Sequence, residues 1–154
     1  MIYELNNLDK LTLERIGPLI EIVVKDPKFN LIGQPQPKDT VNMHRSSALI
    51  DTGSTVTILQ KSIIEKLDLQ PTGAKKIITG IDGNSIEREI FLASFTFPWQ
   101  RTRIAEVVGC DLKLYDCLIG RDILKYWTLF YNGRTGAFAI DDDSIMNQPI
   151  GQEE

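Results

Sequence analysis

The chain has 154 residues, 42% of them hydrophobic and 25% charged, enough for one domain with a buried core. Its net charge of −4 gives no bulk attraction to nucleic acid or an anionic membrane. No apolar run approaches the roughly 20 residues that span a bilayer, and the first residues lack the basic-then-apolar layout of a signal peptide.

Two cysteines, Cys110 and Cys117, are too few for a disulfide framework or a four-ligand zinc site. Reduced thiols and a cytoplasmic setting are expected. Residues 1–17 mix polar and apolar side chains, with a short strand expected at 12–16. The β-branched run 18–24, closed by Lys25-Asp26-Pro27, predicts a strand. Residues 26–45 carry Pro27, Gly33, Pro35 and Pro37 and read as a long irregular loop, either functional or mobile. His44, the one histidine, sits at its end with no partner cluster and is expected to be solvated.

An apolar run, Ala48-Leu49-Ile50, then leads into Asp51-Thr52-Gly53-Ser54. A carboxylate at the end of a buried strand is costly unless something hydrogen-bonds it or shares its proton. Gly53 allows a tight turn that points an amide N–H back at Asp51, and the hydroxyls of Thr52 and Ser54 are further candidate donors. Alone, the tripeptide is more often an Asx-type turn at a strand end than a site. Residues 56–59 continue apolar. The segment 61–67 has Ile63, Ile64 and Leu67 at helical spacing, and 69–73 breaks the chain.

Two strand candidates, 74–79 and 85–97, flank the turn Gly80-Ile81-Asp82-Gly83-Asn84 and make a hairpin. After a turn at Pro98-Trp99-Gln100 come a strand at 102–108 and a loop at 109–116. The run Cys117-Leu118-Ile119-Gly120-Arg121-Asp122 repeats the earlier pattern of apolar pair, turn and helix start, the helix here at 121–127. Residues 128–131 and 137–140 form a second hairpin around Asn132-Gly133-Arg134-Thr135-Gly136. Asp141-Asp142-Asp143 reads as the start of a solvated acidic tail rather than a metal site.

Leu-Ile-Asp-Thr-Gly-Ser at 49–54, followed by Leu-Ile-Gly-Arg-Asp-Ile-Leu at 118–124, resembles the signature pair of the retropepsin-like aspartic proteases, over residues 18–140. The resemblance implies an all-β fold: a closed β-barrel with a flap hairpin and one or two short helices. It makes Asp51, Thr52 and Gly53 the catalytic triplet, with Ser54 and Gly120 supporting its turn. The hairpin tip, Gly80, Ile81, Asp82 and Gly83, becomes a flap over peptide substrate rather than a plain hairpin. It divides the chain into an N-terminal extension or interface segment (1–17), the protease domain (18–140) and an acidic, polar C-terminal tail (141–154). No cofactor and no metal are implied.

Hydrolysis by this chemistry needs two carboxylates about 3 Å apart sharing one proton. The chain holds one Asp-Thr-Gly, so the second aspartate must come from a second copy. The expectation is a homodimeric aspartic endopeptidase whose partners are itself and a peptide or protein substrate. The alternatives are a retropepsin-fold module that dimerises or binds peptide without cleaving, or a precursor that is inactive until trimmed. Two details depart from viral relatives. Ser54 stands where many have alanine, and a hydroxyl donating to the carboxylate would give an acid-shifted pH optimum. Thr55 stands where an aspartate would pair the arginine, so Arg121 needs another acceptor. The terminal hairpin also replaces the single interface strand of the minimal viral enzymes.

Overall fold

Period-two alternation shapes this chain more than any helical pattern. The computed structural model describes residues 2–4, 10–30 and 42–142. In order they form β1 (Ile2–Glu4), α1 (Lys10–Ile16), β2 (Leu19–Lys25), a 3-10 turn (Pro27–Asn30), β3 (Met43–Ile50), β4 (Thr57–Gln60) and α2 (Lys61–Lys66). There follow β5 (Pro71–Thr79), β6 (Ser85–Thr96), β7 (Thr102–Cys110), β8 (Cys117–Ile119), α3 (Arg121–Leu124), β9 (Thr128–Asn132) and β10 (Ala137–Asp141). In β2, Ile20, Ile22 and Val24 are buried while Glu21 faces solvent, the alternation expected of a strand with one face on a core.

The strands run β2-β3-β8-β4-β7-β6, and β6 pairs back with β2, closing a six-stranded barrel. β5 lies outside the closure, paired only to β6 as the outer arm of a hairpin. A second sheet of order β1-β10-β9 joins the two ends of the chain. Leu59, Phe95, Phe97 and Val107 fill the core with almost no exposed surface. Burying each contributes about 1.5–3 kcal/mol. Trp127, just after α3, meets Phe97 edge-on at 4.8 Å and Trp99 at 5.2 Å between ring centres, which fixes α3 against the barrel. Among the described residues no helix is long and apolar enough to cross a membrane.

The all-β barrel, its hairpins and its short helices agree with the sequence reading, with four local corrections. The strand expected at 12–16 is the helix α1. Leu13 is its buried contact, and it stops because Gly17, at φ +86, takes the left-handed conformation and donates its N–H to the Leu13 carbonyl at 3.0 Å. The irregular stretch 26–45 shortens at both ends, through the 3-10 turn and through β3. The long-loop reading for 31–41 lies outside the described residues. His44 is not an unpartnered loop residue: it pairs with Val24 across β3 and β2, and its Nδ1 lies 2.9 Å from Lys66 Nζ.

The fourth correction concerns the acidic tail. Asp141 belongs to β10, and Asp142 is buried. Asp142 accepts hydrogen bonds from Trp99 Nε1 at 2.9 Å and Arg103 Nη2 at 2.7 Å, with Arg101 Nε at 3.7 Å. Two guanidinium groups and an indole N–H replace the water this carboxylate gives up. Asp143 and the rest of the tail lie outside the described residues.

Candidate active site

The two sequence motifs end on adjacent strands. β3 and β8 run parallel in register, with Ala48, Leu49 and Ile50 opposite Cys117, Leu118 and Ile119. Asp51 and Gly120 therefore leave the barrel side by side. The Asp51 N–H donates to the Ile119 carbonyl at 2.9 Å, stitching the first motif to the second before the chain turns.

Within the turn, Gly53 N–H donates to Asp51 Oδ1 at 2.9 Å and Ser54 N–H to the Asp51 carbonyl at 3.2 Å. From the other motif, Arg121 N–H donates to the Ser54 carbonyl at 2.9 Å, and Arg121 Nη1 to the Thr52 carbonyl at 2.7 Å. This is the acceptor Arg121 lacked in the sequence: a backbone oxygen of the Asp-Thr-Gly turn takes the place of a side-chain carboxylate. Gly120 has an ordinary backbone conformation, yet a Cβ there would lie 2.3 Å from the Val56 carbonyl oxygen. Glycine is required at 120 by close approach of two backbones.

Asp51, Thr52, Gly53 and Ser54 thus form one unit hydrogen-bonded to Arg121, with Gly120 close against Val56 beside it. Ser54 belongs to it by its backbone alone. Its hydroxyl donates to the Val56 carbonyl at 2.6 Å, not to Asp51, which removes the basis for an acid-shifted optimum. Two residues the sequence reading passed over complete the unit. Thr57 donates its N–H to Asp122 Oδ2 at 3.0 Å and its hydroxyl to Asp122 Oδ1 at 2.7 Å, while accepting from Gly120 N–H at 3.2 Å. An aspartate in the first turn of α3 and a wholly buried threonine on β4 are the only traces of this in the sequence, and neither names its partner.

The flap candidates sit elsewhere, at the tip between β5 and β6. Gly80 N–H donates to the Asn84 carbonyl at 2.9 Å and Gly83 N–H to the Gly80 carbonyl at 3.0 Å. Asp82 turns back into the tip, accepting from Asn84 N–H at 3.0 Å and Asn84 Nδ2 at 2.7 Å. These bonds hold its carboxyl below the usual carboxylate range. Ile81 is fully exposed, and Ile77 and Ile86 on the two arms show more than half of their surfaces. Three exposed isoleucines thus cluster on one hairpin.

Residues 38–126, more than half of the chain and spanning both motifs and the hairpin between them, match the family described as "gag-polyprotein putative aspartyl protease". No curated protein matches the chain. Among solved structures it is similar to EIAV protease complexed with the inhibitor HBY-793, at 19% identity over 70% of this chain and 85% of that one, with a TM-score of 0.48. It is also similar to a retropepsin-like aspartic protease from Rickettsia conorii, at 12% identity over 91% of each chain, with a TM-score of 0.45. With both motifs inside the family match and its strands closed into the barrel described above, the chain belongs to the gag-polyprotein aspartyl proteases, which are retropepsin-like aspartic endopeptidases.

Proposed function

We propose that the protein works as a homodimer in which Asp51 of each copy meets its mate across a two-fold axis to form the catalytic dyad. The observation that carries this reading is the scarcity of carboxylates at the turn. The chain has one Asp-Thr-Gly, and the aspartates flanking the second motif are committed: Asp122 to Thr57, and Asp116 to the Ser47 N–H at 3.1 Å. Gly53 holds one oxygen of Asp51 and leaves the other to face a second carboxylate. Two carboxylates at such a distance share one proton, because both cannot ionise together. The ionised one takes a proton from water as it attacks the peptide carbonyl, and the protonated one donates to that carbonyl oxygen. Thr52 and Gly53 shape the turn. The tip Gly80–Gly83 closes over an extended peptide substrate, with Ile81 reaching toward it.

Doubly tagged heterodimers of wild-type and Asp51→Asn chains, purified after co-expression, test this on a denatured protein substrate. The reading expects no cleavage by either the heterodimer or the Asp51→Asn homodimer. A heterodimer that keeps half the wild-type rate would mean that one aspartate suffices. Wild-type protein that binds peptide without cutting it would instead favour a peptide-binding module.

A further inference from the structure

β7 is paired along the whole of one edge and along only part of the other. It meets β6 from Thr102 to Val108, but β4 only over Val107–Cys110. Among the described residues, no strand pairs with the second edge of Thr102–Glu106. A free edge presents a row of backbone N–H and C=O groups, which proteins pair or cover. Here it forms one wall of a groove of about 470 Å³. The other wall is Asp122, Ile123, Lys125 and Tyr126, from α3 and the residues just after it. A strand edge facing a helix across a groove is a geometry that takes up an extended segment as an added strand.

The sequence after Asp142 is placed to fill this groove. Asp142 accepts from Arg103 at 2.7 Å, and Arg103 belongs to the groove wall. Arg101 Nε lies 3.7 Å from the same carboxylate. The chain therefore leaves β10 at the Arg101–Arg103 end of the groove. Residues 143–148 contain neither proline nor glycine, and Pro149 follows them. Six extended residues cover about 20 Å, against about 17 Å for Thr102–Glu106. A proline then stops a strand that must donate its N–H groups. Ile145 and Met146 are consecutive, so in a strand one of them shares the face of Ile104, which is 58% exposed. Charge agrees with this placing. Residues 143–154 carry Asp143, Glu153 and Glu154 with no lysine or arginine, while Arg101, Arg103 and Lys125 stand at the mouth and wall of the groove.

We propose that residues 143–148 add to the free edge of β7 as a strand of the same chain. Starting beside Arg103 and running toward Glu106, the segment takes the direction of β7, so the pairing is parallel. It lies between β7 and α3, the helix whose Arg121 and Asp122 support the Asp51 turn. The acidic segment then covers a strand edge instead of standing in solvent. Because both partners belong to one chain, the contact forms in a monomer as it does in a dimer, at the high effective concentration of a direct covalent link.

Ile104→Cys in a Cys110→Ser background tests this when combined in turn with Ser144→Cys, Ile145→Cys, Met146→Cys and Asn147→Cys in the full chain. Oxidation is expected to cross-link alternate positions within one chain, read as a mobility shift that dithiothreitol reverses, and to spare the positions between. In the wild type, hydrogen exchange is expected to show protection at those amides of Thr102–Glu106 that face the groove. Ile145→Asp with Met146→Asp should lower that protection at least about tenfold, with the circular dichroism unchanged. Cross-links at all four positions alike, between two chains, or at none would overturn the added strand. So would protection that the double variant leaves as it is.

Discussion

Two turns of this chain are made from the same local device. At Asp51 and at Asp82 an aspartate oxygen accepts the backbone N–H two residues on, from Gly53 at 2.9 Å and from Asn84 at 3.0 Å. What differs is the support from outside. The first turn is held by the Ile119 carbonyl, by the backbone and guanidinium of Arg121, and by Thr57 clamped to Asp122. The second is closed by bonds among its own residues, including the Thr79 and Ser85 hydroxyls 2.9 Å apart. An Asx turn by itself is only a way of reversing the chain. Anchored from two distant segments, it can hold a carboxylate still, as a reacting group requires. Closed on itself at the end of a hairpin, it can move as a unit, as a lid requires.

The sharpest test of that contrast replaces each aspartate in turn. Asp51→Asn should lower kcat by about 10⁴-fold or more in a cleavage assay, with the thermal midpoint kept. Asp82→Asn should keep kcat within about tenfold, because its carboxylate serves the turn. The Asp82 effect also has a sign in pH. Its folded-state pKa lies below the ordinary 3.8, so its contribution to the turn is present above 3.8 and is lost as pH falls through the lowered value. Protection of the Gly83 and Asn84 amides, measured against the intrinsic exchange rate at each pH, should therefore fall at the acid end in the wild type and not in Asp82→Asn.

Next in size is a pair of glycines. Gly120→Ala drives a methyl into the Val56 carbonyl and should cost about 3 kcal/mol or more, with activity lost alongside. At Gly83, φ +81 is strained for alanine but the space is open, so Gly83→Ala should cost about 1–2 kcal/mol locally. That cost should leave the thermal midpoint in place and change the KM for peptide. Equal effects on global stability would mean that the hairpin tip is as firmly anchored as the Asp51 turn.

Smaller again is the hydroxyl pair. Thr57→Val keeps the shape but takes a donor from Asp122 and an acceptor from Gly120, at about 1–3 kcal/mol by chemical denaturation. Its kcat should fall further than its affinity for substrate, since it positions the turn and does not touch the peptide. Thr79→Val breaks an exposed hydroxyl pair and should change stability by less than about 0.5 kcal/mol.

How far each region could be read from the sequence follows the same division. The hairpin with its glycine-bearing tip, the strands around the barrel and the helix at 61–67 are written in local spacing, and the fold follows that spacing closely. The Asp51 turn is local too, through Gly53. The clamp beneath it is not, because Thr57 and Asp122 stand 65 residues apart and neither side chain is unusual on its own. Asp142 makes the point most strongly. Three consecutive aspartates favour water, and only Trp99, Arg101 and Arg103, brought in by β7 and the turn before it, turn the second of them inward. The helix at Lys10–Ile16 escaped because among its described side chains only Leu13 is buried, too few to set a period.

Ser54 gives the finest test, because its sequence and its geometry predict opposite results. A serine after Asp-Thr-Gly suggests a hydroxyl donor to the carboxylate and an optimum moved toward acid. The fold instead turns Ser54 Oγ away, to the Val56 carbonyl at 2.6 Å, and gives Asp51 Oδ1 the Gly53 N–H. Ser54→Ala should then remove one hydrogen bond from the turn, worth about 1 kcal/mol in stability, and leave the acidic limb of the pH–rate profile where it is. A limb that moves toward neutral pH would mean that the hydroxyl swings to the carboxylate in the proposed dimer. The Asp51 turn would then be one that rearranges on assembly, and rigidity could no longer be what separates it from the hairpin tip.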